Sequence, residues 1–556
     1  MFKPFGIISI INILLFSSFT FYCQPTNANG HLPIIRFAAG LLNIGIFPKS
    51  DAYTSDDDIV ITTHDDIQLT ANIFVPTTLT ALAPSIIFIN SWGLNEYEYL
   101  QQAAELAEKG YIVLSYTTRG FGDSGGIVDT AGPKDINDLR KVIDYLLTSY
   151  PADPNAIGCA GISYGSGICL IGASQDKRIK AVSAMSSWGS LVDALYGHQT
   201  PRLVWGELLT LSGELTGQLD PILHQYWNSI KSQDLNAIPD IIEWAKIRSP
   251  IKYVDKLNDN QTAVYFGKAY GDNLFQPNSL LSMFGQLTGP KHIDLVPGTH
   301  GSAELIPSLL GIGENPIWNN TYQWFDHHLK NQQTDIVSQL PVQMHVKFTQ
   351  KVSAFEDYPL PDLQSHDFHL HPRFISGAGA LLTRPYSSIF NQDDRINAWA
   401  GSLFSTQIPL LSQLLEQVNI PITTSIPLAS NIRSVYYQTT KLNSKMEVRG
   451  NPKIQLHFVP QHTQIQLIVY LYDMAPSGVG TLITHGMMTL PNTTSNETQT
   501  STFELITTAY DVPQNHQLVL AIDTFDPQYQ PPTSVPYDID FVFSKDRPSI
   551  LTIPSL

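Results

Sequence analysis

The amino-acid sequence predicts a doubly wound α/β domain with a helical insertion, followed by an all-β domain of the sandwich or jelly-roll type. Three observations carry this. From residue 57 to 185, short apolar runs alternate with amphipathic stretches, as in a sheet covered by helices. From about Leu191 to Trp244 the pattern turns helical and rich in Leu, Trp and Tyr, with no strand between the segments. Beyond Pro341, short strand-like runs are separated by Pro, Asn, Ser and Gly turns.

A chain of 556 residues is long enough to bury more than one core. Its formal net charge of −17 and scattered Lys and Arg exclude a nucleic-acid partner, which requires clustered cations. At the N-terminus, Lys3 precedes an apolar run from Phe5 to Phe21, and Thr26, Asn27 and Ala28 supply small residues for cleavage. We read residues 1–28 as a secretory signal, with an uncleaved anchor as the alternative, and 29–56 as an N-terminal extension. No later stretch reaches the roughly 20 apolar residues of a membrane span. The expectation is an exported protein, periplasmic or secreted, with no stable span after cleavage. Three cysteines build no disulfide framework. Cys159 and Cys169 read as buried small hydrophobes, a disulfide between them being left open. Monomer and homo-oligomer are both left open.

In chain order, residues 57–76 alternate as two strands around a turn at His64-Asp65-Asp66. Ser85 to Asn90 is apolar on both faces, as in a buried parallel strand. The loop Ser91-Trp92-Gly93 leads to an amphipathic helix from about Tyr97 to Lys109, closed by Gly110. A buried strand, Tyr111–Tyr116, runs into a glycine-dense loop from Arg119 to Gly126. That loop lacks a P-loop's lysine and helix start, so it reads as a structural turn with Arg119 bonding nearby carbonyls. Asp135 to Leu147 is a helix with Ile136, Leu139, Val142, Ile143 and Leu146 on one face. After the strand 181–185 comes the cap, about 191–250, whose Trp205, Tyr226, Trp227 and Trp244 read as core. Strands return at 263–267 and 291–296, and a helix from Trp318 to Lys330 leads to the domain end at 340. The β domain, 341–556, has strands at 454–459 and 465–471 and an exposed loop near Asn492–Ser501.

Between two of these segments lies Gly161-Ile162-Ser163-Tyr164-Gly165, where a strand turns sharply into a helix and lifts a serine hydroxyl to the helix start. Alone, so short a pattern carries little. A serine needs a base oriented by an acid, and in α/β-hydrolases these follow in the order acid, then histidine, each after a sheet strand. Asp272 follows the strand at 263–267, and His300 follows the strand at 291–296. His64, His327 and His328 are weaker candidates for the base. The oxyanion donors expected are the backbone N–H of Tyr164 and a donor from Ser91 or Trp92. No His, Cys or carboxylate cluster has metal-ligand spacing, and no cofactor is implied.

These motifs, with Gly132-Pro133-Lys134-Asp135, Pro297-Gly298-Thr299-His300 and Trp324 to Lys330, resemble the Xaa-Pro dipeptidyl-peptidase and cocaine-esterase family of serine hydrolases. Asp367 to His371 and the Val448–Leu471 region resemble that family's non-catalytic jelly-roll domain. The resemblance implies an α/β-hydrolase fold with Ser163 as nucleophile, His300 as base and Asp272 as orienting acid. It also implies a tyrosine hydroxyl in the oxyanion hole, but this chain has Ser91-Trp92-Gly93 there. Peptidase members hold the substrate's α-amino group with an acid, for which Glu207 and Glu214 are candidates against a solvated helix face. The expected activity is hydrolysis of an ester or peptide substrate through an acyl-enzyme. Esterase is preferred over Xaa-Pro dipeptidyl-peptidase, and a non-catalytic binding scaffold is the alternative from another class.

Overall fold

The computed structural model describes residues 47–305, 315–373, 377–387, 392–398, 401–405, 411–418, 420–429 and 432–556. The signal-peptide reading of residues 1–28 lies outside them. Among the described residues, no helix is long and apolar enough to cross a membrane.

The chain begins with β1 (Tyr53–Thr62) and β2 (Gln68–Pro76), which pair antiparallel around the turn at His64 to Asp66. Then come β3 (Ala83–Ile89), α1 (Leu100–Glu108), β4 (Ile112–Tyr116), α2 (Pro133–Ser149), β5 (Ala152–Ile162), α3 (Tyr164–Gln175) and β6 (Ile179–Met185). The cap comprises α4 (Leu191–Tyr196), α5 (Leu203–Thr216), α6 (Pro221–Lys231) and α7 (Ile238–Lys246), with α8 (Val254–Asp259) leading back. β7 (Ala263–Ala269), α9 (Pro277–Phe284), β8 (Lys291–Val296), α10 (Pro316–Lys330), β9 (Val342–His345) and β10 (Val352–Phe355) complete the domain.

One sheet of ten strands holds these together in the order β1-β2-β4-β3-β5-β6-β7-β8-β9-β10. From β4 to β9 all neighbours are parallel. β3 and β4 are buried on both faces, which is why their sequences read as unbroken apolar runs. The helices cover the two faces by their stripes: α2 buries Ile136, Leu139, Val142, Ile143 and Leu146. α3 is different. It is buried from Tyr164 to Ser174, and its small residues let it lie close to the strands.

Several expectations shift. The first strand starts at Tyr53, ahead of residue 57, and the sheet runs past 340 because β9 and β10 pair onto its edge. Arg119 bonds carboxylates rather than carbonyls: its guanidinium forks onto Asp138 at 2.6 Å and Asp65 at 3.0 Å. Cys159 in β5 and Cys169 in α3 are joined by a disulfide rather than standing as two thiols.

The second domain is a network of 14 hydrogen-bonded strands around its own core, eleven on one path and three branching from it, built on Ile465–Met474 between Val479–Leu490 and Gln517–Asp523. The stretch expected as a loop at Asn492–Ser501 becomes strand from Gln499. This domain reaches across to the segment after β7. Gln528 accepts from Asn273 at 2.8 Å, and Asn278 donates to Leu505 O and accepts from Thr507 N, both at 3.0 Å.

Candidate active site

Ser163 sits between β5 and α3 with φ 55° and ψ −115°, a conformation an L-residue holds only when its surroundings force it. The two glycines beside it explain how. A Cβ on Gly165 would lie 2.0 Å from Ile89 O, and one on Gly161 would lie 2.9 Å from the same oxygen. The elbow is therefore pressed against the end of β3, a position no other residue permits.

The structure brings the three sequence-predicted residues together. Ser163 Oγ lies 2.8 Å from His300 Nε2, and His300 Nδ1 lies 2.9 Å from Asp272 Oδ2. Asp272 is fully buried after β7, while the His300 side chain retains about 10% exposure and Ser163 opens into a cavity. Asp272 Oδ1 accepts the backbone N–H groups of Leu274 and Phe275 at 3.1 and 2.8 Å. Burial pushes this carboxyl up, but the charges of His300 and Lys268 and the hydrogen bonds they donate bring it below the usual carboxylate value. The rings of Phe275 and Trp205 stand edge-on to the imidazole at 5.0 and 5.3 Å and shield it from water.

Of the expected oxyanion donors, Ser91 must be withdrawn. Its N–H donates to Glu98 Oε2 at 2.6 Å, and its hydroxyl lies 2.6 Å from Glu98 Oε1 and 3.1 Å from Ile162 O. These contacts use Ser91 to fasten the loop to α1's approach and to β5. Desolvation pushes the Glu98 carboxyl up to about 7. Trp92 is held by its indole, which donates to Leu209 O in the cap at 2.9 Å, and its ring packs on Tyr164. The Trp92 N–H makes no hydrogen bond among the described residues. Tyr164, at the first position of α3, has a main-chain N–H with no intrahelical acceptor. Its hydroxyl donates to Asp135 Oδ2 at 2.6 Å, so the side chain is a strut.

Above Ser163 lies a cavity of about 150 Å³ between the sheet domain and the cap. Its lining is almost wholly apolar: Trp188, Leu191, Leu209, Tyr226, Trp227, Ile238, Ile241, Trp244 and Phe275 among others. Tyr226, Trp227 and Trp244, expected as core, line it because α6 and α7 lie over the sheet domain and turn these rings toward Ser163. Glu207 and Glu214 do not face it. Both are about half exposed, Glu207 on Trp227 Nε1 and Lys231, Glu214 beside His224. His64, His327 and His328 take no part in the site.

Sequence reasoning missed Glu98, Lys268, Trp188 and Phe275. Lys268 carried a signal, being the one charged residue in the apolar run of β7. Glu98 carried none.

Residues 65–302 match the family model of the X-Pro dipeptidyl-peptidase (S15 family), and residues 337–551 match that of its C-terminal non-catalytic domain. The chain belongs to the S15 family of serine hydrolases. Its fold is similar to a CocE/NonD family hydrolase from Staphylococcus aureus, with a TM-score of 0.71 at 13% identity over 91% of this chain and 94% of that one. It is similar also to an alpha-amino acid ester hydrolase, with a TM-score of 0.69 at 14% identity over 92% and 98%. At such identities the likeness concerns the fold. Among curated proteins, Uncharacterized protein YcjY of Escherichia coli (strain K12) is 35% identical over 17% of this chain. Quorum-quenching protein AidA of Acinetobacter baumannii (strain MDR-ZJ06) is 31% identical over 21% of it. These matches span 32% and 40% of those two proteins.

Proposed function

We propose that this S15 hydrolase cleaves carboxylic esters of apolar acids through an acyl-enzyme, with Ser163, His300 and Asp272 as its catalytic triad. One observation carries the preference for esters over N-terminal dipeptides. The cavity that opens at Ser163 contains no carboxylate among its described lining residues to pair with a free α-amino group. An apolar acyl chain loses water there at no polar cost.

The proton on His300 Nδ1 is directed to Asp272, which leaves Nε2 to accept the Ser163 proton as Oγ attacks the ester carbonyl. The carbonyl oxygen, now anionic, takes the N–H groups of Tyr164 and Trp92. His300 then gives its proton to the departing alkoxide. Water enters, is deprotonated by His300, and releases the acid while Ser163 recovers its proton. Asp272 stays ionised throughout, as its depressed carboxyl value supports.

The disulfide between Cys159 and Cys169 supports export to an oxidising compartment, periplasmic or extracellular. A panel of p-nitrophenyl esters of increasing acyl length beside Xaa-Pro anilides tests the substrate reading. Ester turnover without anilide turnover is expected, and cleavage of only those anilides with a free N-terminus would overturn it. Labelling by a fluorophosphonate, absent in Ser163→Ala, tests the nucleophile and separates the enzyme from a binding scaffold.

A further inference from the structure

Each of the three triad members is tied to one of three consecutive residues at the end of β6. Ser163 N–H donates to Met185 O at 2.9 Å. Gly301 N–H, next to His300, donates to Ser186 Oγ at 3.0 Å, and that hydroxyl in turn donates to Glu304 at 2.9 Å. Asp272 is reached through a lysine: Lys268 Nζ donates to Asp272 Oδ2 at 2.6 Å and to Ser187 O at 2.9 Å. Ser186 has φ 46°, and its N–H is anchored on Gly267 O of β7 at 2.8 Å. Ser186, Ser187, Lys268 and Asp272 are all buried to the last few per cent.

We propose that Met185-Ser186-Ser187 is a common frame that registers nucleophile, base and acid against one another, with Lys268 as the positioning residue that ties the acid into it. The inference rests on the triad assigned above. Lys268 and His300 Nδ1 donate to the same carboxylate oxygen, so the lysine fixes the acceptor on which the imidazole is oriented. The arrangement is also electrical. An ordinary acid and base form an ion pair when the base takes its proton, whereas here a cation already faces the carboxylate. Around the acid and base stand Lys268 from β7, Glu304 from the segment after His300, and Arg202 from the cap. Burial pushes the Glu304 carboxyl up, and the hydrogen bond from Ser186 with the charges of His300 and Lys268 opposes that. Desolvation lowers Lys268, while Asp272 opposes that by holding its charge. A buried lysine adds little net stability by itself. Its place on the shared oxygen gives it a role in the pair's protonation: with the cation removed, the Asp272–His300 pair takes up a proton more readily, and activity fails at higher pH.

The test compares Lys268→Met, Lys268→Arg and Ser186→Ala with the wild-type chain. The readouts are kcat and KM on a p-nitrophenyl ester and the rate of fluorophosphonate labelling against pH. Lys268→Met is expected to lower kcat about 10- to 100-fold at unchanged KM. It should also move the acid limb upward by about one pH unit. Lys268→Arg should recover most of both changes. Ser186→Ala should lower kcat about tenfold with KM and the limb unmoved. If Lys268→Met does not fold, the other two variants carry the test. An unmoved limb with a kcat loss that arginine does not recover reduces Lys268 to a structural pair, and wild-type kcat in Ser186→Ala removes the frame. Absence of labelling in the wild-type chain would instead overturn the triad itself, and this inference with it.

Discussion

The floor and the roof of the active site are built on opposite principles. In the floor, Asp272 accepts four donors, Ser163 is locked between glycines that admit no side chain, and the Tyr164 hydroxyl rests on Asp135. In the roof, α5 to α7 present aromatic and aliphatic side chains with almost no polar atom facing the cavity. Directional bonds hold reacting atoms to a few tenths of an ångström, whereas apolar contact selects by size and tolerates variation. The difference teaches where chemistry and choice reside: the floor holds the groups that would react, and on the function proposed above the roof would choose the acyl group.

The largest test of that division is Ser163→Ala, expected to reduce kcat by about 10⁴-fold or more while leaving the binding of an apolar acid to the roof unchanged. Loss of both together would break the division. Next, the floor holds buried carboxylates, whereas α5 to α7 line the cavity with apolar side chains. Burial, with Asp129 as a second cause, pushes the Asp135 carboxyl up to about 7. Its folded value lies above its unfolded one, so its contribution to stability is complete below about pH 4 and is lost as pH rises toward 7. Asp135→Asn should flatten that loss by a few kcal/mol at most, read from urea unfolding at pH 4, 5.5 and 7. Glu98, raised to about 7, and Asp523, raised to about 6, leave a residual slope.

Removing the disulfide with Cys169→Ala should cost about 2–3 kcal/mol of unfolding free energy, as expected for closure of so short a loop. It should cost kcat more than KM, because the loop it closes contains Ser163. The smallest effect is in the roof. Trp227→Ala is expected to shift the ratio of kcat/KM for long over short acyl esters about tenfold in favour of the long, with the shape of the pH profile unchanged. A profile that moved with this substitution would show roof and floor to be coupled.

The same division governs how much could be read from the chain. The sheet was legible because strands buried on both faces must be apolar throughout, as at Ile86 to Ile89 and Val113 to Tyr116. The meeting of Ser163, Asp272 and His300 was legible because an elbow and two strand ends confine them to recognisable places. The sheet edge at β9 and β10 was not, since two four-residue strands carry too little pattern to declare their partner. Nor were the roof and the oxyanion loop. Apolar helices look alike whether they face a core or a cavity, so Tyr226, Trp227 and Trp244 gave no sign of lining one. The fate of the Ser91 N–H depended on Glu98, seven residues away and set by loop geometry rather than by spacing.

The hydrogen bonds that Gln528, Leu505 and Thr507 share with the segment just after Asp272 bear on how small a working version of this enzyme could be. Ser163, Asp272 and His300, the triad proposed above, are all encoded before codon 301, and a gene ending after Phe355 would keep all three. It would leave Asn273 and Asn278 without these anchors and free the turn on which the acid is carried. A minimised biocatalyst of this family has to retain its β half or replace those three contacts with others.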